Sequence, residues 1–496
     1  VDDDNPTVHG LLSGASLQET FTFTLMDDFG ATNAATLTVT IDGVNDGLFT
    51  ELNDAVNLSA AVAAFPDTDF ENNFLDALGG DDAVTLVSGL EVSGYLNEFD
   101  GETFSGGLGN DTIGVLTDFM NVDGNGGSDW LDLSGLLAAG SAVTANLTTG
   151  DIDIARNGSV DLTAVNFENI QGTANADSIT SSAADNWILA GDGNDTIAIQ
   201  SGTSSLGDIY VGGDGTADWL LNTSGSNLVF DAFDATDVTE TVSGSGLENM
   251  AIAGLTVLGT GGNDLMNFQG LRLTQLATTV SALDVSTGGG DDTVFGTNLT
   301  GQQTNGVNQN RIDYDLGAGN DSFVGTGVNI DVVLGGTGSD TVLAGDGNDM
   351  LRGNAGGDFL NGQGGNDTFT VLAGEDSELD TFIGGAGTAD IITNGVTTNF
   401  TFSVFDYDDA TETVNGSGVE ILQLNGFRIN GTGANTLFDF DGTRFIGLNT
   451  VLTNLEVTTG AGNDTVIGSA ATTPQTHDVN QARIDYDLGA GQDDHF

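Results

Sequence analysis

Residues 335–370 hold four nonapeptides end to end: GGTGSDTVL, AGDGNDMLR, GNAGGDFLN and GQGGNDTFT. Position four is glycine each time (Gly338, Gly347, Gly356, Gly365), and position six is aspartate each time (Asp340, Asp349, Asp358, Asp367). Position eight is apolar each time: Val342, Leu351, Leu360 and Phe369. The period divides into a turn and a short strand. Glycine at position four lets the turn adopt φ > 0 and bring its carbonyls inward. Side chains alternate along a strand, so the position-eight residue faces a core and its neighbours face out. Two nonapeptides on opposite sides close one coil. Same-side neighbours are then two periods apart, which pairs Asp340 with Asp358 and Asp349 with Asp367.

Carbonyls and one carboxylate per turn suit a hard cation. Ca²⁺ takes about six to eight oxygens at about 2.3–2.6 Å. One turn is too small to supply them, but two stacked turns suffice. One apolar residue per nonapeptide is a thin core, so the metal must contribute much of the folding free energy.

The pattern G-G-x-G-x-D-x-U-x resembles the calcium-binding nonapeptide of the RTX family, here in four registered copies. The resemblance implies an all-β chain wound as a parallel β-roll or β-helix solenoid, with Ca²⁺ in the turns. It also implies an extracellular protein exported by a type I system, folding where calcium is plentiful.

Composition narrows the function. There are 73 acidic residues against 7 basic ones, all arginine, for a net charge of −66. That surplus repels itself in a compact metal-free state, and it excludes nucleic acid as a partner, because phosphate contacts need basic side chains. Cysteine is absent, which removes disulfides, thiol catalysis and thiolate metal sites. No apolar run is long enough for a membrane-spanning helix. Only 3 prolines and 75 glycines point to sheet with tight turns.

Residues 1–47 differ from the rest. Phe21, Phe23 and Leu25, then Leu37, Val39 and Ile41, alternate with polar residues around a turn at Asp27–Gly30. This is a hairpin signature, and TVTIDGVND resembles the close of a cadherin-like or VCBS-type Ig-like module. Residues 48–171 carry irregular repeats: LGGDDAVTL with Asp82, GGLGNDTIG with Asp111 and GNGGSDWLD with Asp129, the last two separated by the same double period. Residues 136–171 resemble an RTX spacer and read as further strands of the same solenoid.

A longer period begins at residue 172. SGSGLENM (243–250) matches NGSGVEIL (415–422), and STGGGDDTVFG (286–296) matches TTGAGNDTVIG (458–468). NQNRIDYDLGAGND (308–321) matches NQARIDYDLGAGQD (480–493), and all three pairs share one offset. Copy one is 172–343 and copy two 344–496; both ends of the sequence read as interrupted, as in a piece of a longer array. With two nonapeptides per coil, a full copy is expected to hold roughly nine coils spaced near 4.8 Å.

The expected calcium ligands beyond the central block are Asp177 and Asp195, with Asn186 replacing the aspartate between them, then Asp218, Asp264, Asp292 and Asp321 in copy one. Copy two adds Asp390, Asp464 and Asp493, while Thr436 stands where copy one has Asp264. Asp192 and Asp346, at position three of AGDGND, are further candidate carboxylates. Each of these aspartates is alternatively a solvated loop residue; register and glycine spacing favour ligation. Arg311 and Arg483 sit in duplicated RIDYDL segments. An Arg-Tyr-Asp site cleaving polysaccharide is one reading, and a structural ion pair with a stacked tyrosine the other, favoured by the duplication. Trp130, Trp187 and Trp219 read as core or cap packing, and His9, His477 and His495 have no partner pattern. HExxH, GxSxG and P-loop motifs are absent. The sequence therefore reads as a non-enzymatic, calcium-loaded spacer, surface-layer or filament unit, or adhesin stalk, associating with itself or with other surface or matrix components. The alternative is the repeat region of a secreted polysaccharide-active enzyme, protease or lipase.

Overall fold

The computed structural model describes residues 16–26, 32–42, 52–57, 77–86, 103–116, 121–136, 142–154, 156–200, 207–223, 228–230, 233, 244–252, 255–275, 283–297, 311–372, 380–394, 400–402, 405–406, 416–423, 427–430, 435, 437–445, 455–468, 484–488 and 494–495. All regular structure among them is strand. The chain forms two compact units, Val1–Asp195 and Thr196–Phe496.

The first unit opens with an antiparallel pair, Ser16–Met26 against Thr32–Asp42, in the register Phe21↔Leu37 and Leu17↔Ile41. The turn expected at Asp27–Gly30 lies outside the described residues. Two sheets follow. One stacks Ala55–Asn57, Ala83–Leu86, Thr112–Val115, Trp130–Asp132, Asn169–Gln171 and Trp187–Asp192, all parallel. The other contains a departure from a pure solenoid. Asp151–Ile154 runs antiparallel to both neighbours, Val143–Asn146 and Leu162–Val165. The strands described between residues 143 and 171 thus lie in the parallel sheets, with one of them folded back.

In the second unit, two parallel sheets face each other across the core. Successive strands of one are Ile330–Thr337, Met350–Ala355, Thr368–Val371 and Ile391–Asn394. Successive strands of the other are Ser322–Val324, Thr341–Leu343, Phe359–Asn361 and Thr381–Ile383. The pairing Thr341↔Phe359 and Met350↔Thr368 is the expected coil of two nonapeptides. Val342, Leu351, Leu360 and Phe369 are buried, and their strand neighbours are not. Strands recur at the long period too: Leu283–Ser286 and Leu455–Thr458, or Leu265–Asn267 and Leu437–Asp439.

Coil length is not uniform. Leu265 pairs with Thr293 and Thr293 with Ser322. The aspartates at the head of these strands, Asp264, Asp292 and Asp321, are 28 and 29 positions apart, against 18 in the central block. Nine equal coils per copy is therefore an overcount. The wide coils are filled by larger side chains. Tyr210, Phe230, Phe233, Phe268, Tyr314 and Phe323 form one buried aromatic column with centroid spacings of 5.9, 6.1, 5.1, 6.2 and 4.6 Å. Such rings bury far more surface per residue than the single aliphatic of a nonapeptide.

Candidate metal centre

The position-six aspartates form ladders through the stack. Asp340 donates its backbone N–H to Asp358 Oδ1 at 2.9 Å, and its own Oδ1 accepts the N–H of Asp321 at 2.9 Å. Its carbonyl takes the N–H of Phe359 at 2.8 Å. Asp349 repeats the pattern, bonding Asp367 Oδ1 at 2.8 Å and accepting from Asp331 at 2.9 Å. One ladder runs Asp264, Asp292, Asp321, Asp340, Asp358, Asp380. On the opposite side another runs Asp331, Asp349, Asp367, Asp390, Glu420. In the first unit Asp54, Asp82, Asp111, Asp129 and Glu168 make a third, and Asp177 donates to Asp195. Asp264, Asp292 and Asp321, far apart in sequence, are thus members of one ladder separated by wide coils.

Each bond from one ladder aspartate to the next engages Oδ1. At Asp82, Asp111, Asp129, Asp292, Asp321, Asp340, Asp349, Asp367 and Asp390 the second oxygen, Oδ2, is buried without a hydrogen-bond partner. A buried unpaired carboxylate oxygen is expensive. Desolvation is the main cause pushing Asp349 up to about 9 and Asp340, Asp129 and Asp390 up to about 7. Asp82, Asp321 and Asp367 rise to about 6 for the same reason. The turn around each oxygen is a cradle. At Gly362 an added Cβ would collide with Asp367 Oδ2. At Gly356 (φ +143°) it would collide with the Gly338 carbonyl of the preceding coil. Gly338 and Gly365 also have φ > 0, whereas Gly347 does not and is needed because the Asn329 carbonyl occupies the Cβ position. Orphaned carboxylate oxygens beside inward carbonyls fit a hard cation. Among the described residues no three His, Cys, Asp or Glu side chains converge on one point, so a cation here would draw its remaining ligands from the backbone.

Some expected ligands sit differently. The Asp177 carboxylate is satisfied within the protein by Val143 N–H (2.7 Å), Thr173 N–H (2.6 Å) and the Thr173 hydroxyl (3.0 Å). Asp264, only half-buried, is capped in the same way by Thr260 N–H at 2.7 Å, and Asn186 by Ser182 N–H at 2.7 Å. All three turns carry Ser or Thr four positions before the position-six residue. Asp195, Asp218 and Asp358 are buried and share ladder bonds, and Asp464 is buried at position six of its turn. Asp192 and Asp346, the position-three candidates, are exposed. Asp493 and Thr436 lie outside the described residues, as do Arg483, His9, His477 and the Arg311 side chain of the expected ion pair. Tyr314 is buried, but its ring is tilted by 52° to Phe323 and 60° to Phe268 and is not stacked. The tryptophans are not core residues. Each follows a position-six residue, so strand alternation turns it outward, half-buried, with the Trp130 and Trp187 rings 5.4 Å apart.

Sequence reasoning missed Asp54, Asp331, Asp380, Glu168, Glu248 and Glu420. Asp331 carries a usable signal, since it precedes Asp349 by one narrow coil and opens an apolar pair. A second ladder also went unseen. Asn110 N–H donates to Asp81 Oδ1 and Ser128 N–H to Asn110 Oδ1, at 2.8 and 2.7 Å. The same bond recurs within the second unit, from Asn320 N–H to Asp291 Oδ1, Ser339 N–H to Asn320 Oδ1 and, on the other side of the coil, Asn366 N–H to Asn348 Oδ1. Position five thus binds the coil before it while position six binds the coil after it, which explains the recurring Asn-Asp pair.

The family model of the RTX calcium-binding nonapeptide repeat (4 copies) matches residues 167–198, 326–360, 334–369, 344–377 and 456–471, about a fifth of the chain. Among curated proteins, none matches. No helix of the described residues is long and apolar enough to cross a membrane. The glycine-aspartate turns of the matched segments are RTX-type calcium-binding repeats, carried on an all-β chain whose parallel sheets have the form of a β-solenoid.

Proposed function

We propose that this chain is an extracellular structural segment that becomes a rigid solenoid on binding calcium. The observation that carries this reading is the ladder of buried aspartates whose Oδ2 atoms have no partner. Asp82, Asp111, Asp129, Asp292, Asp321, Asp340, Asp349, Asp367 and Asp390 are the proposed ligands of open turns, with Asp195, Asp218, Asp358 and Asp464 at equivalent positions. Asp177 and Asp264 are left out of the set because threonine caps them. The ion supplies the positive charge that lets a carboxylate stay ionised inside the stack. The backbone ladders fix the spacing between turns, and the carbonyls at the position-four glycines complete the oxygen set. With −66 charges and few apolar side chains per narrow coil, the metal-free chain stays open, and millimolar calcium outside the cell closes it. The long repeat that begins at residue 172 is the unit of an extended, non-catalytic array serving as spacer, filament, surface layer or adhesin stalk. Calcium titrated into the chelated protein, followed by far-UV circular dichroism, tests the reading. A cooperative gain of β signal is expected, and an equally folded protein in excess EDTA refutes it.

A further inference from the structure

Two aspartate ladders, and a third aspartate turn at Asp218, end on glutamate, not aspartate. The N–H groups of Asp129, Asp218 and Asp390 donate to Oε2 of Glu168, Glu248 and Glu420 at 2.9, 2.7 and 2.7 Å. The residue after each glutamate returns its N–H to the aspartate carbonyl: Asn169, Asn249 and Ile421, at 2.9, 2.9 and 2.8 Å. Two positions before each glutamate the backbone is left-handed, at Asn166 (φ 58°), Gly246 (φ 57°) and Gly418 (φ 60°). The carbonyls of those three residues point into the aspartate turn where a Cβ on Gly124, Gly212 or Gly384 would stand. The Oδ2 atoms of Asp129 and Asp390 converge on the same points, 2.7 and 2.8 Å from the Cβ positions of Gly124 and Gly384. Both aspartates are fully buried, and both Oδ2 atoms lack a hydrogen-bond partner.

One geometry therefore recurs three times on a turn whose sequence is not a nonapeptide, and the three aspartates lie outside the segments matched by the family model. We propose that each Asp–Glu junction is a divalent-cation site of its own kind, closing a ladder. Its ligands are the aspartate Oδ2, the carbonyl of the left-handed residue and the glutamate oxygen left over from the ladder bond. A glutamate that served only as a hydrogen-bond cap would need no charge. The aspartate oxygen aimed at the same carbonyl is what a cation between them explains. The inference rests on the calcium-binding reading above.

The test is the calcium stoichiometry of the full chain, by equilibrium dialysis with calcium alone, for Glu168→Gln, Glu248→Gln and Glu420→Gln. Glutamine keeps an acceptor for the ladder N–H and removes the charge. Each substitution is expected to lose one ion, and the triple variant one ion per site, with the β signal at saturating calcium retained. An unchanged ion count overturns the proposal alone, whereas an unaltered chain that binds no calcium overturns this reading and the preceding one together. Should the triple variant fail to fold, terbium gives a second measurement on single variants, because Trp130 and Trp219 directly follow Asp129 and Asp218 while Ile391 follows Asp390. Tryptophan-sensitised terbium emission is expected to fall in Glu168→Gln and Glu248→Gln and to hold in Glu420→Gln. Undiminished emission in the first two overturns the proposal.

Discussion

Asp349→Asn should stabilise the calcium-free chain and destabilise the calcium-loaded one. Asp349 is fully buried between Asp331 and Asp367, both ladder partners. Burial first, and then those neighbouring charges, push its carboxyl up to about 9. A folded pKa raised above the unfolded value near 3.9 gives stability that is complete below pH 4 and disappears as pH rises toward 9. At pH 7.5 the metal-free fold must take up a proton at Asp349. Over the interval from about 3.9 to 7.5, at about 1.36 kcal/mol per unit, this costs on the order of 5 kcal/mol, comparable to the whole stability of a small domain at about 5–15 kcal/mol. Asparagine keeps the Oδ1 acceptor for Asp331 and carries no charge. Its unpaired NH₂ returns about 1–3 kcal/mol of cost, leaving a net gain of about 2–4 kcal/mol in chelator. In saturating calcium the order inverts, because the variant has lost a ligand. Denaturant melts of both proteins at pH 7.5, in EDTA and in millimolar calcium, measure the two differences. If asparagine destabilises the chain in EDTA as well, the buried charge is not what opposes folding, and the argument fails.

The other expectations can be checked with the same protein. Acidifying the chelated chain from pH 8 to pH 5 should restore β signal, because Asp340 and Asp390, raised to about 7 by burial, stabilise the metal-free fold only when protonated; unchanged dichroism across that window contradicts the assignment. Gly356→Ala places a methyl on the Gly338 carbonyl at φ +143° and should cost about 3 kcal/mol or more in a calcium-saturated thermal melt. Asp177→Asn and Asp264→Asn should leave the number of bound ions unchanged, since Thr173 and Thr260 cap those carboxylates, while Asp340→Asn removes at least one by equilibrium dialysis. On gradual calcium removal, hydrogen exchange should expose the amides of 335–371 before those of the coils around Phe268 and Phe323, whose aromatic column needs no ion.

Where the chain repeats strictly, the sequence is nearly a drawing of the fold. In 335–370 a slip of one residue would turn Leu360 outward and Asp358 out of its ladder, so the two-nonapeptide coil and the inward position-eight residues follow from pattern alone. The wide coils were less legible. Nothing in residues 264–292 announces that so long a detour returns to the same ladder, because length within a coil is free once both ends meet the next turn. Capping by Thr173 was visible in principle, since a hydroxyl four positions before an aspartate offers an internal partner where glycine leaves an opening. The glutamate ends were hidden for another reason: the longer side chain reaches Asp390 from a turn that has lost the nonapeptide spacing. Only the stacking of the two turns brings the carboxylates together.

The two coil widths divide the work of stability. A narrow coil orders two whole nonapeptides around little more than one inward side chain per strand, such as Leu351 with Leu360. Each contributes about 1.5–3 kcal/mol, too little to offset chain entropy of about 1–2 kcal/mol per residue, and the charged ladder opposes closure further. A narrow coil therefore closes when a cation or a proton neutralises its aspartates. A wide coil encloses rings such as Phe233 and Phe268, stacked at 5.1 Å, and carries fewer ladder aspartates per residue. Its apolar contribution is larger and its electrostatic cost smaller. Alternating the two along one ladder places metal-dependent segments between segments with cores of their own. Because each ladder bond runs from one coil into the next, a wide coil that retains its shape presents an ordered row of Oδ1 and N–H groups on which the neighbouring narrow coil can rebuild. The aspartate ladder is then a template that a cation completes, and the aromatic coils are what keep that template in register while calcium is scarce.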